Sequence, residues 1–253
     1  MIVAGRGNQP GINNLQSAIN NKSPIKDRPF NNDWLLMIDI TTRLAQLDSC
    51  AVSDALDKLG LKGVASGIER LATDQRISGR VVTVKLEADD GRPVASRHLG
   101  TTAIESAQPG DVIVIEQRSG RNAASWGGNL SRAAQLRGIA GVIVDGPARD
   151  IDEAQGYGFP LFARSRTPHT ARGRIVETGT NVPITVADVA VSPGDFVVAD
   201  GTGIVFVSAR DIEAVLDAAE AIAARERAMV AALNEGQPVS QVMGKGYETM
   251  LKR

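Results

Sequence analysis

The chain has 253 residues, enough for one large domain with a sizeable core, and its 28 Lys and Arg nearly cancel its 29 Asp and Glu. With no basic face forced by composition, nucleic acid and anionic membrane are excluded as expected partners. Cys50 is the only cysteine, which excludes a disulfide framework or thiolate metal cluster and fits a reducing cytoplasm; no apolar run approaches the ~20 residues that span a bilayer, and no basic-then-apolar leader opens the chain.

Residues 1 to about 33 are polar and rich in asparagine (Asn8, Asn13, Asn14, Asn20, Asn21, Asn31, Asn32) and hold no sustained period, so 1–36 reads as an extension ahead of a domain over 37–235, with Met37 as an alternative start. From Ile38 a helix-like stretch leads to Ser53–Gly60, with Ser53 as N-cap and Gly60 as terminator. Ile77–Leu86 predicts a strand, Val94–Ala107 a helix, and Pro109-Gly110-Asp111 a turn into the strand Val112–Ile115. A polar loop over 117–125 leads into the stretch from Trp126 to Glu153. Beyond it the segments at 160–163, 174–177, 183–186, 195–199 and 204–207 read as short strands, with Gly201-Thr202-Gly203 a turn between two of them. Asp211–Leu233 predicts a long amphipathic helix with Ile212, Val215, Leu216, Ala219 and Ile222 on one face, and residues 236–253 form a weakly patterned tail.

Within the stretch from 126 to 153, Asn129 is placed as N-cap of a helix carrying Leu130, Ala133, Ala134 and Leu136 and stopped by Gly138. Gly127 and Gly128 stand just before it, where bare backbone N–H groups suit a carboxylate or phosphate. Val142-Ile143-Val144 predicts a buried strand that Gly146-Pro147 breaks. Arg149 and Asp150 then fall just past its carboxyl end, the edge where ligands bind in open α/β sheets.

Gly128, twenty residues, Arg149-Asp150, two residues and Glu153 together resemble the G-x20-R-D-x2-E/D signature of class II pyruvate aldolases of the RraA-like family. The similarity extends to Ser53-Asp54-Ala55-Leu56, Gln108–Asp111, Asn181–Ile184 and Pro193–Asp200, from about Ile38 to Glu235. The resemblance implies an α/β swivelling β/β/α domain, commonly a homotrimer or a dimer of trimers. It also implies cleavage of 4-hydroxy-4-methyl-2-oxoglutarate or 4-carboxy-4-hydroxy-2-oxoadipate to pyruvate, in the catabolism of aromatic compounds, with oxaloacetate decarboxylation as a side activity.

In that frame the cofactor is a divalent cation, Mg2+ or Mn2+, and the substrate a small keto acid. Asp150 is the direct metal ligand, Glu153 holds a metal-bound water, Arg149 lies over the keto oxygen, and the N–H groups from Gly127 and Gly128 through Asn129 and Leu130 take the pyruvyl carboxylate. A water or hydroxide held by the acidic residues takes the 4-hydroxyl proton. Glu226, on the C-terminal helix, is the residue lent to a neighbouring subunit. From the residues alone, Asp150-x-x-Glu153 reads first as a capping box for a helix at Ile151, an order that Gly128 and Arg149 at the family's offsets reverse, and Glu226 between arginines is a solvated helix face. His98 reads as a packed or surface residue on a helix, His169 as a flank of the substrate mouth, and Cys50 as a small buried residue. Arg118, Arg121, Arg164 and Arg172 are the candidate cations for a 4-carboxy group.

A second reading is a regulator without catalysis, since some family members bind and inhibit ribonuclease E but commonly lack the full acidic signature. A phosphohistidine carrier would need a histidine on a glycine-rich turn, and a methyltransferase a glycine-rich loop after a first strand; neither is found.

Overall fold

The computed structural model describes residues 32–91 and 97–244. The expectations for residues 1–31, for the start of the helix over 94–107 and for the end of the tail lie outside the described residues. The chain divides into two compact units, Met1–Met37 and Ile38–Arg253, and the elements below belong to the second except the first turns of α1.

Helix α1 (Asn32–Leu44) is followed by α2 (Ser49–Leu59), then strands β1 (Val64–Ala65), β2 (Glu69–Ala72) and β3 (Ile77–Ala88), and helix α3 (Thr101–Ser106). Next come β4 (Val112–Gln117), α4 (Gly128–Leu136), β5 (Gly141–Ala148), α5 (Ile151–Gly156) and β6 (Leu161–Arg166). The remainder comprises β7 (Ile175–Thr180), β8 (Ile184–Val186), β9 (Val189–Val191), β10 (Phe196–Ala199), β11 (Ile204–Val207), α6 (Ile212–Asn234) and α7 (Val239–Val242).

The main sheet runs β1-β11-β10-β3-β4-β5-β6-β2, with β7 on β3. Strands β3 to β6 are parallel, the others antiparallel. Parallel strands joined by helices are buried on both faces, which accounts for the continuous apolar runs of β4 and β5. On one face Val82, Val84, Ile113, Ile115, Val142 and Val144 pack beneath α3, α4 and α5 with Trp126 and Phe159. On the other, Val81, Val114 and Ile143 share a core with Val197, Ile204 and Phe206 of the curled-over β10–β11 pair and with the β8–β9 hairpin. The architecture is the mixed α/β fold expected from the resemblance.

Several local expectations are corrected. Asp48, not Ser53, caps α2, its carboxylate accepting from the Ala51 N–H at 2.8 Å, while Gly60 ends the helix in the left-handed region as expected (φ 68°). Of the helix expected over Val94–Ala107, only Thr101–Ser106 is helical among the described residues, because Gly100 at φ 77° sets its start. Cys50 is exposed, not buried. The strand expected to stop at Val144 continues to Ala148 through a register shift between Val144 and Pro147. An irregularity at that point accommodates a proline that cannot donate to the ladder. The apolar face of α6 is buried as read, and Gly201-Thr202-Gly203 is the turn from β10 to β11.

Candidate active site

Strand β5 delivers Arg149 and Asp150 to the carboxyl edge of the parallel strands, beside the loop that leads into α4. Two backbone bonds lock these segments together: Ser125 N–H to Pro147 O at 2.9 Å, and Arg149 N–H to Trp126 O at 3.0 Å. Buried Gln117 holds the same loop from inside. Its amide donates to the Ser119 hydroxyl and the Arg121 carbonyl and accepts from the Ser125 hydroxyl at 3.0 Å. It also lies so close to Gly146 that a Cβ there would overlap its side chain. Trp126 is fixed by its Nε1–H, which donates to Ser131 Oγ at 2.9 Å, and by stacking on Phe159.

Asp150 sits in the left-handed region (φ 56°, ψ 43°), which aspartate tolerates better than most residues. Its carboxylate makes no bond to its own helix α5. Instead Oδ2 accepts from the Gly128 N–H at 2.9 Å and lies 3.3 Å from Arg149 Nε. The capping role is thus exercised on α4, where an anion meets the positive end of the helix dipole. The N-cap position of α4 is Gly127 and not Asn129, which falls inside the first turn.

Both glycines leave room for the close approach of acidic side chains. A Cβ on Gly127 would stand 2.8 Å from Asp150 Oδ2, and one on Gly128 would overlap the Glu153 carboxylate. The two acidic side chains therefore converge on the start of α4. Because the Gly128 N–H is engaged by Asp150, the N–H groups of Asn129 and Leu130 are the ones in this turn left without an acceptor among the described residues.

A cavity of about 70 Å³ opens here, lined among others by His98, Leu99, Trp126, Asn129, Arg149 and Asp150. The Arg149 and Asp150 side chains are 41% and 33% exposed. Residues Thr170 and Ala171 line it too. His169 supports the adjacent loop, its Nδ1 meeting Asn122 O at 3.1 Å. A larger cavity of about 280 Å³ beyond Leu99 carries Arg97 and Glu177, but both are committed. Arg97 pairs with Glu105 at 3.0 Å, and Glu177 accepts from the Gly100 N–H and the Thr180 hydroxyl.

His98 is exposed and lies outside any helix, contrary to expectation, and it lines the smaller cavity. Glu226 does not line that cavity; it lies half-buried on α6. Burial pushes its carboxyl up from the usual value, reinforced by the charges of Asp48 and Asp54. Arg164 is taken by the buried Asp145 on the opposite face of the sheet, and Arg118 by the Ala187 carbonyl at 3.1 Å. None of Arg118, Arg121, Arg164 and Arg172 lines the cavity.

The RraA-like family pattern, described as Aldolase/RraA, matches residues 49–206. The chain belongs to the Aldolase/RraA family. A Halalkalibacterium halodurans relative, provisionally named 4-hydroxy-4-methyl-2-oxoglutarate aldolase, is 32% identical over 201 residues, 78% of this chain and 90% of that protein. Among solved structures, an uncharacterized Pseudomonas syringae protein superposes with a TM-score of 0.73 at 30% identity, covering 82% of this chain and 98% of its own. Streptomyces coelicolor RraAS2, described as an unusual member of the RNase ES inhibitor RraA protein family, gives a TM-score of 0.67 at 25% identity, over 80% of this chain and 97% of its own.

Proposed function

We propose that the chain is a carbon-carbon lyase that cleaves a 4-hydroxy-2-oxo acid, of the 4-hydroxy-4-methyl-2-oxoglutarate or 4-carboxy-4-hydroxy-2-oxoadipate type, to release pyruvate. The cofactor is a divalent cation, Mg2+ or Mn2+, and oxaloacetate decarboxylation is a side activity because both reactions pass through the pyruvate enolate. The observation that carries this reading is the Asp150 carboxylate, held on one oxygen by the α4 N-terminus and Arg149 beside an open cavity. The name of the Halalkalibacterium halodurans relative supports it.

The donor set suits a hard cation. Asp150 Oδ1 has no hydrogen-bond donor among the described residues, and the exposed Glu153 carboxylate lies against the same helix turn. Among the described residues no group of three His, Cys, Asp or Glu could cage a metal, so an ion bound here would keep several waters and take one or two carboxylates. Asp150 would hold it directly and Glu153 through a water, and when bound it would supply Lewis-acid polarisation of the 2-keto oxygen. The N–H groups of Asn129 and Leu130 bind the substrate carboxylate. Arg149 presents a planar fork of donors to the keto oxygen and stabilises the negative charge that gathers there as the C3–C4 bond breaks. A homotrimer or homohexamer would bring Glu226 of one subunit to the site of the next.

The test is pyruvate release from 4-hydroxy-4-methyl-2-oxoglutarate and from oxaloacetate, with and without Mg2+, for the wild type and Asp150→Ala. Release that requires both metal and Asp150 is expected. A folded protein that binds no Mg2+ and releases no pyruvate would instead favour a ribonuclease-binding role, the one printed in the description of the RraAS2 family.

A further inference from the structure

Retro-aldol cleavage needs something that oxaloacetate decarboxylation does not, a base for the 4-hydroxyl proton. Taking the lyase reading as its premise, we propose that His98 Nε2 is that base. Three features of the cavity lead to it.

The first is the tautomer. His98 Nδ1 lies 3.0 Å from the Leu99 carbonyl oxygen, which can only accept. The proton of the neutral ring therefore sits on Nδ1, and Nε2 carries the lone pair. When Nε2 takes a proton, the Nδ1–H bond to the carbonyl becomes charge-assisted, so the same contact that sets the tautomer stabilises the imidazolium.

The second is anchorage. The His98 carbonyl accepts from the Thr101 hydroxyl at 2.7 Å, and the next residue but one, Gly100, donates to Glu177 at 2.6 Å. Gly100 also packs on the Trp126 ring, where a Cβ would stand 3.3 Å from the indole. The histidine is thereby fixed relative to Trp126, from which the chain runs directly into Gly127 and Gly128. An exposed side chain on so constrained a backbone can serve a substrate without a large ordering cost.

The third is the other titratable groups of the cavity. Among the described residues these are Arg149, a donor with no lone pair to offer, and Asp150, whose Oδ2 is bound by the Gly128 N–H and Arg149 and whose Oδ1 the lyase reading gives to the cation. Glu153 does not line the cavity. A neutral imidazole with one free lone pair is the group left for the task.

The 4-hydroxyl proton passes to Nε2, its oxygen forms the new C4 carbonyl, the C3–C4 bond breaks, and its electron pair comes to rest on the C2 oxygen beside Arg149. A water then protonates C3, giving pyruvate, and the imidazolium gives up its proton to the hydroxide so formed, leaving His98 neutral.

The experiment compares two reactions in one protein. His98→Gln should lower kcat for 4-hydroxy-4-methyl-2-oxoglutarate cleavage by about 100-fold or more, the range of general base catalysis. Oxaloacetate decarboxylation by the same variant should stay within about 2-fold of wild type, since no hydroxyl proton moves and uncharged glutamine preserves the wall. In His98→Ala, added imidazole should restore part of the cleavage rate. Long-range proton–nitrogen NMR of the metal-free protein, at a pH where imidazole is neutral, should show the Nδ1–H tautomer. Unchanged cleavage, an equal fall in both reactions, or the Nε2–H tautomer would overturn the role of His98 while leaving the lyase intact. A wild type inert on both compounds would remove the lyase and this inference together.

Discussion

Gly128→Ala separates the needs of the fold from those of the site. Gly128 is the first residue of α4, where alanine is better than glycine by about 0.5–1 kcal/mol. Against this, the new methyl would overlap the Glu153 carboxylate and stand 3.3 Å from Asp150 Cβ. Glu153 is exposed, so it can swing aside at the cost of an off-rotamer adjustment, roughly 0.5–1.5 kcal/mol. The two contributions nearly cancel, and the melting temperature should move by no more than about 2–4 °C, the shift that ~1 kcal/mol produces in a domain of this size. Function should not be spared. Under the proposed role of Glu153, displacing its carboxylate should cost on the order of 10–100-fold in metal affinity. Calorimetric unfolding together with a Mg2+ titration of pyruvate release reads both quantities on one preparation. Unaltered Mg2+ dependence in the folded variant would refute the role of Glu153. A fall in melting temperature well beyond ~4 °C would refute the claim that Glu153 yields easily.

Arg149→Lys keeps the charge but loses the fork and should reduce kcat for cleavage by about 100-fold or more, as removal of an oxyanion donor does; near wild-type turnover would take Arg149 out of the mechanism. Glu226→Gln should raise the melting temperature at pH 7. The folded-state pKa of Glu226 is raised, so the fold loses stability as pH climbs past the unfolded value of about 4.3, and glutamine abolishes that loss. If Glu226 also serves a neighbouring site, the same variant should lose activity, a combination that a solvated surface glutamate would not give. Burial pushes the Asp200 carboxyl up, but the hydrogen bonds from Ser49, Thr202 and Gly203 outweigh it and hold the group below its usual value. Its contribution is complete above the unfolded value of about 3.9 and fades as pH falls through the lower folded one. Asp200→Asn should therefore be less stable than wild type at pH 7 and show a shallower acid limb in a melting-temperature profile, and parallel profiles would count against the reasoning.

The apolar runs at 112–115 and 142–144, and the face of α6 from Ile212 to Ile222, were legible because a strand buried on both faces is apolar throughout and a helix buried on one face repeats its apolar residues. Strand β2, Glu-Arg-Leu-Ala, was not, since its pairing with β6 is a tertiary event that leaves no alternation. Caps were misread for the same kind of reason. Ser53 and Asn129 are good cap types, but the helices begin earlier, at Asp48 and Gly127, where chain direction changes. The convergence of Gly128, Arg149, Asp150 and Glu153 followed from the family signature they resemble, whereas the left-handed turn that aims Asp150 at another helix is invisible in residue types. Asp200 on the start of α2, which it meets across more than half the chain, and Gln117 against Gly146 are long-range contacts without a local signal.

Strand β3 carries a consequence for how the chain is made. Its second half can pair with β4 as soon as residues 112–117 have been synthesised, but its first half must await β10, where Arg80 meets Phe196 and Ile77 meets Ala199. On the order of a hundred residues intervene, and at roughly 5–20 residues per second the open edge of β3 persists for on the order of ten seconds. During that interval Ile77 and Val81, later sealed beneath Val197 and Ile204, are available to a neighbouring nascent chain. Slow codons between β7 and β10 should therefore lower soluble yield without altering the stability of the protein that escapes.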